Sequence, residues 1–313
     1  MHLAVYLPLV IPALAAITAR PLADRMPPAT GTWLLVVSSL ALAVASSAVL
    51  GLLALTALVR VPLVDAFANM SVQVISRNDP ASLPVAVVAG ALLAAAAAAA
   101  CRALWRRGAA ILAAGRQARS LPGSGQVVVT EDDAADAYTL PGWPCRIVIT
   151  SGMLRALTHP ERRVLLAHER AHARGAHYLF TSAARLAAAA NPLLRPVATA
   201  VGYTVERWAD EHAASVTGDR PLAARAIAHA ALASSAAPPT RTSPAALALI
   251  PLDLRGAGPI PRRVAALLGP PPRRSVLLLG AAVVLVAVSG MSALEAARNL
   301  HQLIEYAQAA SGS

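Results

Sequence analysis

The chain has 313 residues, of which 57% are hydrophobic and only 14% charged, and its mean hydropathy is +0.56. Soluble domains carry about a quarter charged residues, so this composition excludes an ordinary soluble globular protein and points to an integral membrane protein. The net charge of +11 comes without an aromatic-studded basic stripe, so direct nucleic-acid binding is not expected, and anionic lipid headgroups are the better partner.

Residues 32–59, 82–101 and 275–294 hold no charged side chain, and each is long enough to cross about 30 Å of hydrocarbon as a helix. Residues 3–19 make a fourth candidate span, interrupted by Pro8 and Pro12. The competing reading, a signal peptide, lacks its basic leader, since only Met1 and His2 precede the apolar run. All 27 basic residues are Arg, and 22 of them lie in residues 102–274 against 11 Asp plus Glu; the remainder holds 5 of each sign. The whole net charge therefore sits in one inter-span segment. Arg102, Arg106, Arg107, Arg116 and Arg119, directly after the third span, place that segment in the cytoplasm by the positive-inside rule. The expected order is an outer N-terminus, residues 1–101 with three transmembrane helices, a cytoplasmic domain over 102–274, a fourth span over 275–294 and a short extracytoplasmic tail over 295–313. Cys101 at the inner end of a span and Cys145 in the cytoplasmic segment are not expected to pair.

A basic helical stretch is expected to run to about Arg119, where Leu121-Pro122-Gly123-Ser124-Gly125 breaks it. Gln126–Thr130 and Cys145–Thr150 are β-branched runs bounded by turn residues and read as strands, with a third short strand near Tyr138. Ser151-Gly152 then leads into helix. A longer helix follows, with Thr158 as N-cap, Pro160 in the first turn, Glu161 placed as in a capping box, and Gly175 at its end.

Inside that helix stands His168-Glu169-Arg170-Ala171-His172. At about 100° per residue, two imidazoles four positions apart share a face and can hold one metal ion. Glu169 points aside, where it can take a proton from a water whose pKa zinc lowers towards 7 and pass it to a leaving amine. The plain alternative is two solvated histidines on a charged helix face.

Residues 176–202 are apolar but contain Arg185, Asn191, Pro192, Arg195 and Pro196. A straight transmembrane helix is not expected there; a buried or membrane-skimming helical hairpin broken at Asn191-Pro192 fits better. A helix from about Thr204 to Val216, stopped by Gly218, should follow, and Ala237–Pro244 reads as a surface loop.

Catalytic zinc takes three protein ligands and keeps a fourth position for water. His177 stands one residue before the position that completes a metzincin signature, where this chain has Tyr178, so it is the weaker candidate for the third ligand. Glu206 is the stronger. Asp210, four residues on and on the same face, can hydrogen-bond a ligating imidazole, although the two acids also suit a solvated helix face. Glu211 and His212 project elsewhere on the wheel.

The combination of Ile149-Thr150-Ser151-Gly152-Met153-Leu154, His168-Glu169-x-x-His172 and Glu206-x-x-x-Asp210 resembles the gluzincin membrane peptidases. That group includes the heat-shock membrane protease, the CaaX prenyl endopeptidase and the BlaR/MecR-type antibiotic-sensor peptidases. Three spans, a cytoplasmic zinc domain and one more span is the BlaR/MecR arrangement, though the short segment after the last span leaves out the sensor domain. The resemblance implies an α-helical integral membrane protein with about four transmembrane helices and a cytoplasmic α+β zincin domain. It further implies Zn2+ held by His168, His172 and Glu206, Glu169 as general base and Asp210 as the carboxylate behind a ligand.

The expected activity is zinc-dependent endopeptidase cleavage of a protein or peptide at the cytoplasmic face of a bacterial-type cell membrane. By the same resemblance it extends to regulatory proteolysis of a DNA-binding repressor. The alternative is a non-catalytic membrane signalling or scaffold protein with a structural or vestigial zinc site. An intramembrane protease is disfavoured, because Arg162, Arg163, Arg170 and Arg174 surround the motif and four such charges are costly at the bilayer centre.

Overall fold

A computed structural model describes residues 6–58, 83–236, 260–271 and 275–311. Residues 59–82 between the second and third expected spans, the loop Ala237–Pro244 and residues 3–5 of the first expected span lie outside the described residues. Ten helices and one small sheet account for most of what is described. Helices α1 (Leu7–Arg25), α2 (Pro28–Leu58), α3 (Leu83–Ser120) and α10 (Val276–Ser311) each contain a stretch long and apolar enough to cross a membrane. Two of them outrun the apolar segments that announce them. α3 continues unbroken for 38 residues through Arg102, Arg106 and Arg107, because Ala and Arg are both strong helix formers and charge alone does not end a helix. α10 likewise runs past Leu294 to Ser311.

The sheet follows α3. Strands β1 (Val127–Thr130), β2 (Ala137–Leu140) and β3 (Arg146–Thr150) are ordered β1-β3-β2, with β1 parallel and β2 antiparallel to the central β3. All five β3 residues are buried, as expected of a strand paired on both sides. Arg146 opens that strand, and its guanidinium donates to the carbonyls of Leu121, Pro122, Gly123 and Gly125. It thereby closes the turn between α3 and β1. Gly152 opens the short helix α4 (Ser151–Ala156); a Cβ there would lie 2.1 Å from the Asp133 carbonyl oxygen, so only glycine admits that loop.

Helix α5 (His159–Arg174) begins as its sequence dictates. The buried Glu161 carboxylate accepts from the Thr158 backbone N–H at 2.9 Å and its hydroxyl at 2.8 Å, and it meets His229 Nδ1 at 2.6 Å. Burial alone would raise the Glu161 carboxyl, but these Thr158 hydrogen bonds, then His229, hold it below its ordinary value. A carboxyl depressed in the folded state stabilises the protein above its unfolded pKa, and this contribution is lost as pH falls through the folded value. Glu161→Ala should therefore cost about 1 kcal/mol at neutral pH, and thermal melts at decreasing pH should show the gap to wild type closing in acid.

Helices α6 (His177–Ala190) and α7 (Arg195–Thr217) form the hairpin that the sequence suggests. Asn191 breaks it, with its Oδ1 accepting from the Leu193 N–H at 3.1 Å ahead of a single 3-10 turn over Pro192–Leu194. One boundary differs from expectation. α7 starts at Arg195 and not near Thr204, because Pro196 occupies its first turn, where a missing N–H costs nothing. The second arm of the hairpin and the helix bearing Glu206 are thus one rod.

That rod is packed among the apolar helices. Leu22, Met26, Leu35 and Leu42 of the α1–α2 segment share a core with Ala184, Ala187, Val197 and Val201 of the hairpin. Polar contacts fix the register: the Thr32 and Thr204 hydroxyls lie 2.9 Å apart, and Asn191 Nδ2 donates to Ser46 Oγ at 3.0 Å. Arg207, buried, donates to the Ala23 carbonyl at 2.6 Å and so caps the C-terminal end of α1. Helix α8 (Arg220–Ala236) and the short α9 (Ile260–Leu268) then pack against α5 and α7 through Val164, Ala213, Ala223, Ile227 and Leu267.

Candidate metal centre

α5 and α7 lie side by side, and their facing residues converge. His168 Nε2 and His172 Nε2 are 3.1 Å apart, while the Glu206 carboxylate oxygens lie 3.7 Å from the first and 3.5 Å from the second. One donor atom from each of the three fits within 4.8 Å of the others, and among the described residues no fourth His, Cys, Asp or Glu joins them.

Each imidazole is held from behind. His168 Nδ1 stands 3.0 Å from Asp210 Oδ1, and His172 Nδ1 stands 3.0 Å from His177 Nδ1. With Nδ1 of each ring occupied in this way, the two Nε2 atoms present their lone pairs towards one another and towards Glu206. Such a set of donors is repulsive by itself and suits a divalent cation of the zinc class. Zinc therefore fits the residues present, with His168, His172 and Glu206 as the groups that would hold it.

Arg263 of α9 completes the surroundings. It grips Asp210 with two hydrogen bonds, of 2.7 Å from Nε and 2.6 Å from Nη2, and its Nη1 reaches Glu206 at 3.0 Å. Burial alone would raise the Asp210 carboxyl, but Arg263 overrides it and holds that group well below the usual carboxylate range. His168 is raised: burial pulls it down, and the Asp210 hydrogen bond and charge, with Glu206, outweigh that pull. His172 is held well below its ordinary value by burial and then by His168. His177 falls to about 3 through burial and its neighbour His172, so it is neutral and one of its nitrogens can accept a hydrogen bond.

Glu169 lies beside the three donors and reaches β2, where Thr139 Oγ1 donates to its Oε2 at 2.9 Å. Burial raises its carboxyl, partly offset by His168 and by that hydroxyl. Cys145 is raised by its own burial and then by Glu169, and neither cysteine is in a disulfide.

Three of these groups have no signal in the motif itself. His177, the weaker candidate for the third ligand, is 2% exposed and packs between His172, edge to face, and Trp208, with ring centroids 4.8 Å from each. Its position depends on Ala176, which turns the chain in the left-handed region at φ 46°, and on Gly175, where a Cβ would come within 2.5 Å of the His177 ring. That glycine was legible as a helix end but not as the space for a ring. Arg263 and Thr139 lie far from the motif in sequence, and only the fold brings them in. Glu211 is turned away, as expected, and pairs with Arg220.

Residues 109–191 match the model of peptidase family M48. The matched segment runs from the end of α3 through the sheet, α4, α5 and α6. It includes His168, Glu169, His172 and His177 and stops before Glu206. No curated protein and no solved structure matches the chain. The family match supports a metallopeptidase, and the four apolar helices are consistent with a multi-pass membrane protein.

Proposed function

We propose that this protein is an integral-membrane zinc endopeptidase that hydrolyses peptide bonds at the cytoplasmic face. The observation that supports this most is the convergence of His168, His172 and Glu206 within 4.8 Å beside a buried carboxylate, Glu169, that is held by the Thr139 hydroxyl. A three-donor set leaves a coordination position open, which favours catalysis over a closed structural site. The excess of Arg in 102–274 supports the cytoplasmic face. The order of three apolar helices, peptidase domain and fourth helix supports a place near the BlaR/MecR-type peptidases, with a DNA-binding repressor as the first protein substrate to try.

When bound, zinc supplies a Lewis acid that acidifies water and polarises a carbonyl. The chain does the rest. Thr139 fixes one oxygen of Glu169 and leaves the other to take the proton of the attacking water and deliver it to the leaving amine. Its raised carboxyl brings the base closer to the pH at which it works. Asp210 and His177 hold the two imidazoles in the tautomer that offers Nε2. β2 is an edge strand of the sheet next to this site, and an extended peptide can pair with such an edge through its backbone.

Incubating the full-length protein, in membranes, with a proteome-derived peptide library tests the reading. Cleavage should vanish on chelation of zinc and return when zinc is added back; cleavage indifferent to the chelator would refute it.

A further inference from the structure

A cavity of about 160 Å³ opens beside the motif helix. One wall is α5, with Val164 and Leu165 one turn before His168 and Glu169; the other is α8, with Ala226, Ile227 and Ala230; Met153 forms part of the floor. The cavity is apolar around Val164 and Met153, which are 1% and 2% exposed, and polar where Asp136, His168, Glu169, Ser234 and Arg263 line it. Its volume is close to the roughly 150 Å³ at which an apolar cavity holds a benzene-sized group. Ala226 and Ala230 are four residues apart on one helix face, and their small side chains set the width.

Glu169 and His168 lie on the rim of this same cavity. A peptide whose scissile bond reaches Glu169 therefore carries the side chain of a flanking residue to the cavity mouth, because successive residues of an extended chain advance by only about 3.3 Å. Arg263 also borders it but is engaged by Asp210 and Glu206, so it does not serve as a counter-ion for an acidic substrate.

We propose that this cavity is the specificity pocket of the enzyme, taking an apolar side chain of leucine to phenylalanine size from one residue flanking the scissile bond. The proposal rests on the peptidase reading above and adds the substrate class to it. The apolar walls on α5 and α8 favour such a side chain by transfer from water.

The test is a peptide series that varies the two flanking positions, cleaved by the full-length protein with zinc bound. At one position Leu, Met or Phe should exceed Ala, Asp and Lys by at least about tenfold in kcat/KM. Ala230→Phe narrows the pocket and should lower the Phe-to-Ala preference at that position by at least about tenfold. Ile227→Ala widens it and should raise acceptance of Trp relative to Leu. Zinc content equal to wild type shows that each variant is folded at the site. Cleavage without side-chain preference, or a preference unmoved by both variants, overturns the pocket alone. A preference for Lys or Arg overturns it as well and reassigns the mouth to Asp136. No cleavage above that of Glu169→Gln overturns the peptidase reading and the pocket together.

Discussion

Glu169→Gln is expected to lower peptide cleavage by about 10²- to 10⁴-fold, the range for loss of a positioned general base, with zinc content unchanged. The two parts of this result have separate causes. Glutamine keeps the shape of a side chain that is only 7% exposed, and it can still accept from Thr139, but it cannot take a proton. Zinc stays because Glu169 is not among the three converging donors. The loss should fall on kcat, since the group acts in proton transfer and contributes little to holding the peptide. Full activity in this variant would move the base to another residue, and loss of metal would make Glu169 part of the ligand set.

Arg263→Ala should be the most destabilising single substitution around the site, by about 3 to 5 kcal/mol, because it strands a buried carboxylate. Asp210 is 1% exposed and Arg263 is 7% exposed, and the two share a pair of hydrogen bonds. Once the guanidinium is gone, His168 is the polar partner left to Asp210 among the described residues, and desolvation would push its carboxyl upwards. A protonated Asp210 no longer fixes His168 as a donor at Nδ1, so weaker zinc binding should accompany the lost stability. Thermal unfolding of the purified protein, read with and without excess zinc, measures both effects. A midpoint within about 2 °C of wild type would mean that the pair is not buried as described.

The parts of this molecule that were legible in its sequence are those set by neighbouring residues. Thr158, Glu161 and Gly175 mark the limits of α5, and the β-branched runs mark β1 and β3, because capping and strand propensity act over a few positions. The spacing of Glu206 and Asp210 was legible for the same reason, since four residues on any helix make one face. Asp210 and Arg263 are 53 positions apart, and no local pattern pairs them; the fold of α8 and α9 does. His177 was legible only as a poor fit to a metzincin spacing; its place behind His172 is decided by the left-handed turn at Ala176 and by packing on Trp208. The start of α7 was set too late because the apolar arm and the acidic segment differ in polarity, and polarity does not mark a helix end when no breaker intervenes. Packing explains that contrast: one end of the rod shares a core with Ala184 and Leu35, and the other presents Glu206.

This last feature ties the membrane region to the chemistry. Trp33 of α2 meets Phe180 at 4.7 Å, Phe180 meets Trp208 at 5.8 Å, and Trp208 meets His177, which backs His172. The rigidity of the candidate site is therefore borrowed in part from the apolar helices, and the peptidase domain is not expected to keep its geometry when cut away from them.

The zinc content of the purified full-length protein tests the central claim most directly. About one zinc per chain is predicted for the wild type and for Glu169→Gln, and well below about a tenth of that for His168→Ala and Glu206→Ala. A wild-type protein that cleaves peptides with no bound metal, or a Glu206→Ala variant that keeps both zinc and activity, would contradict it.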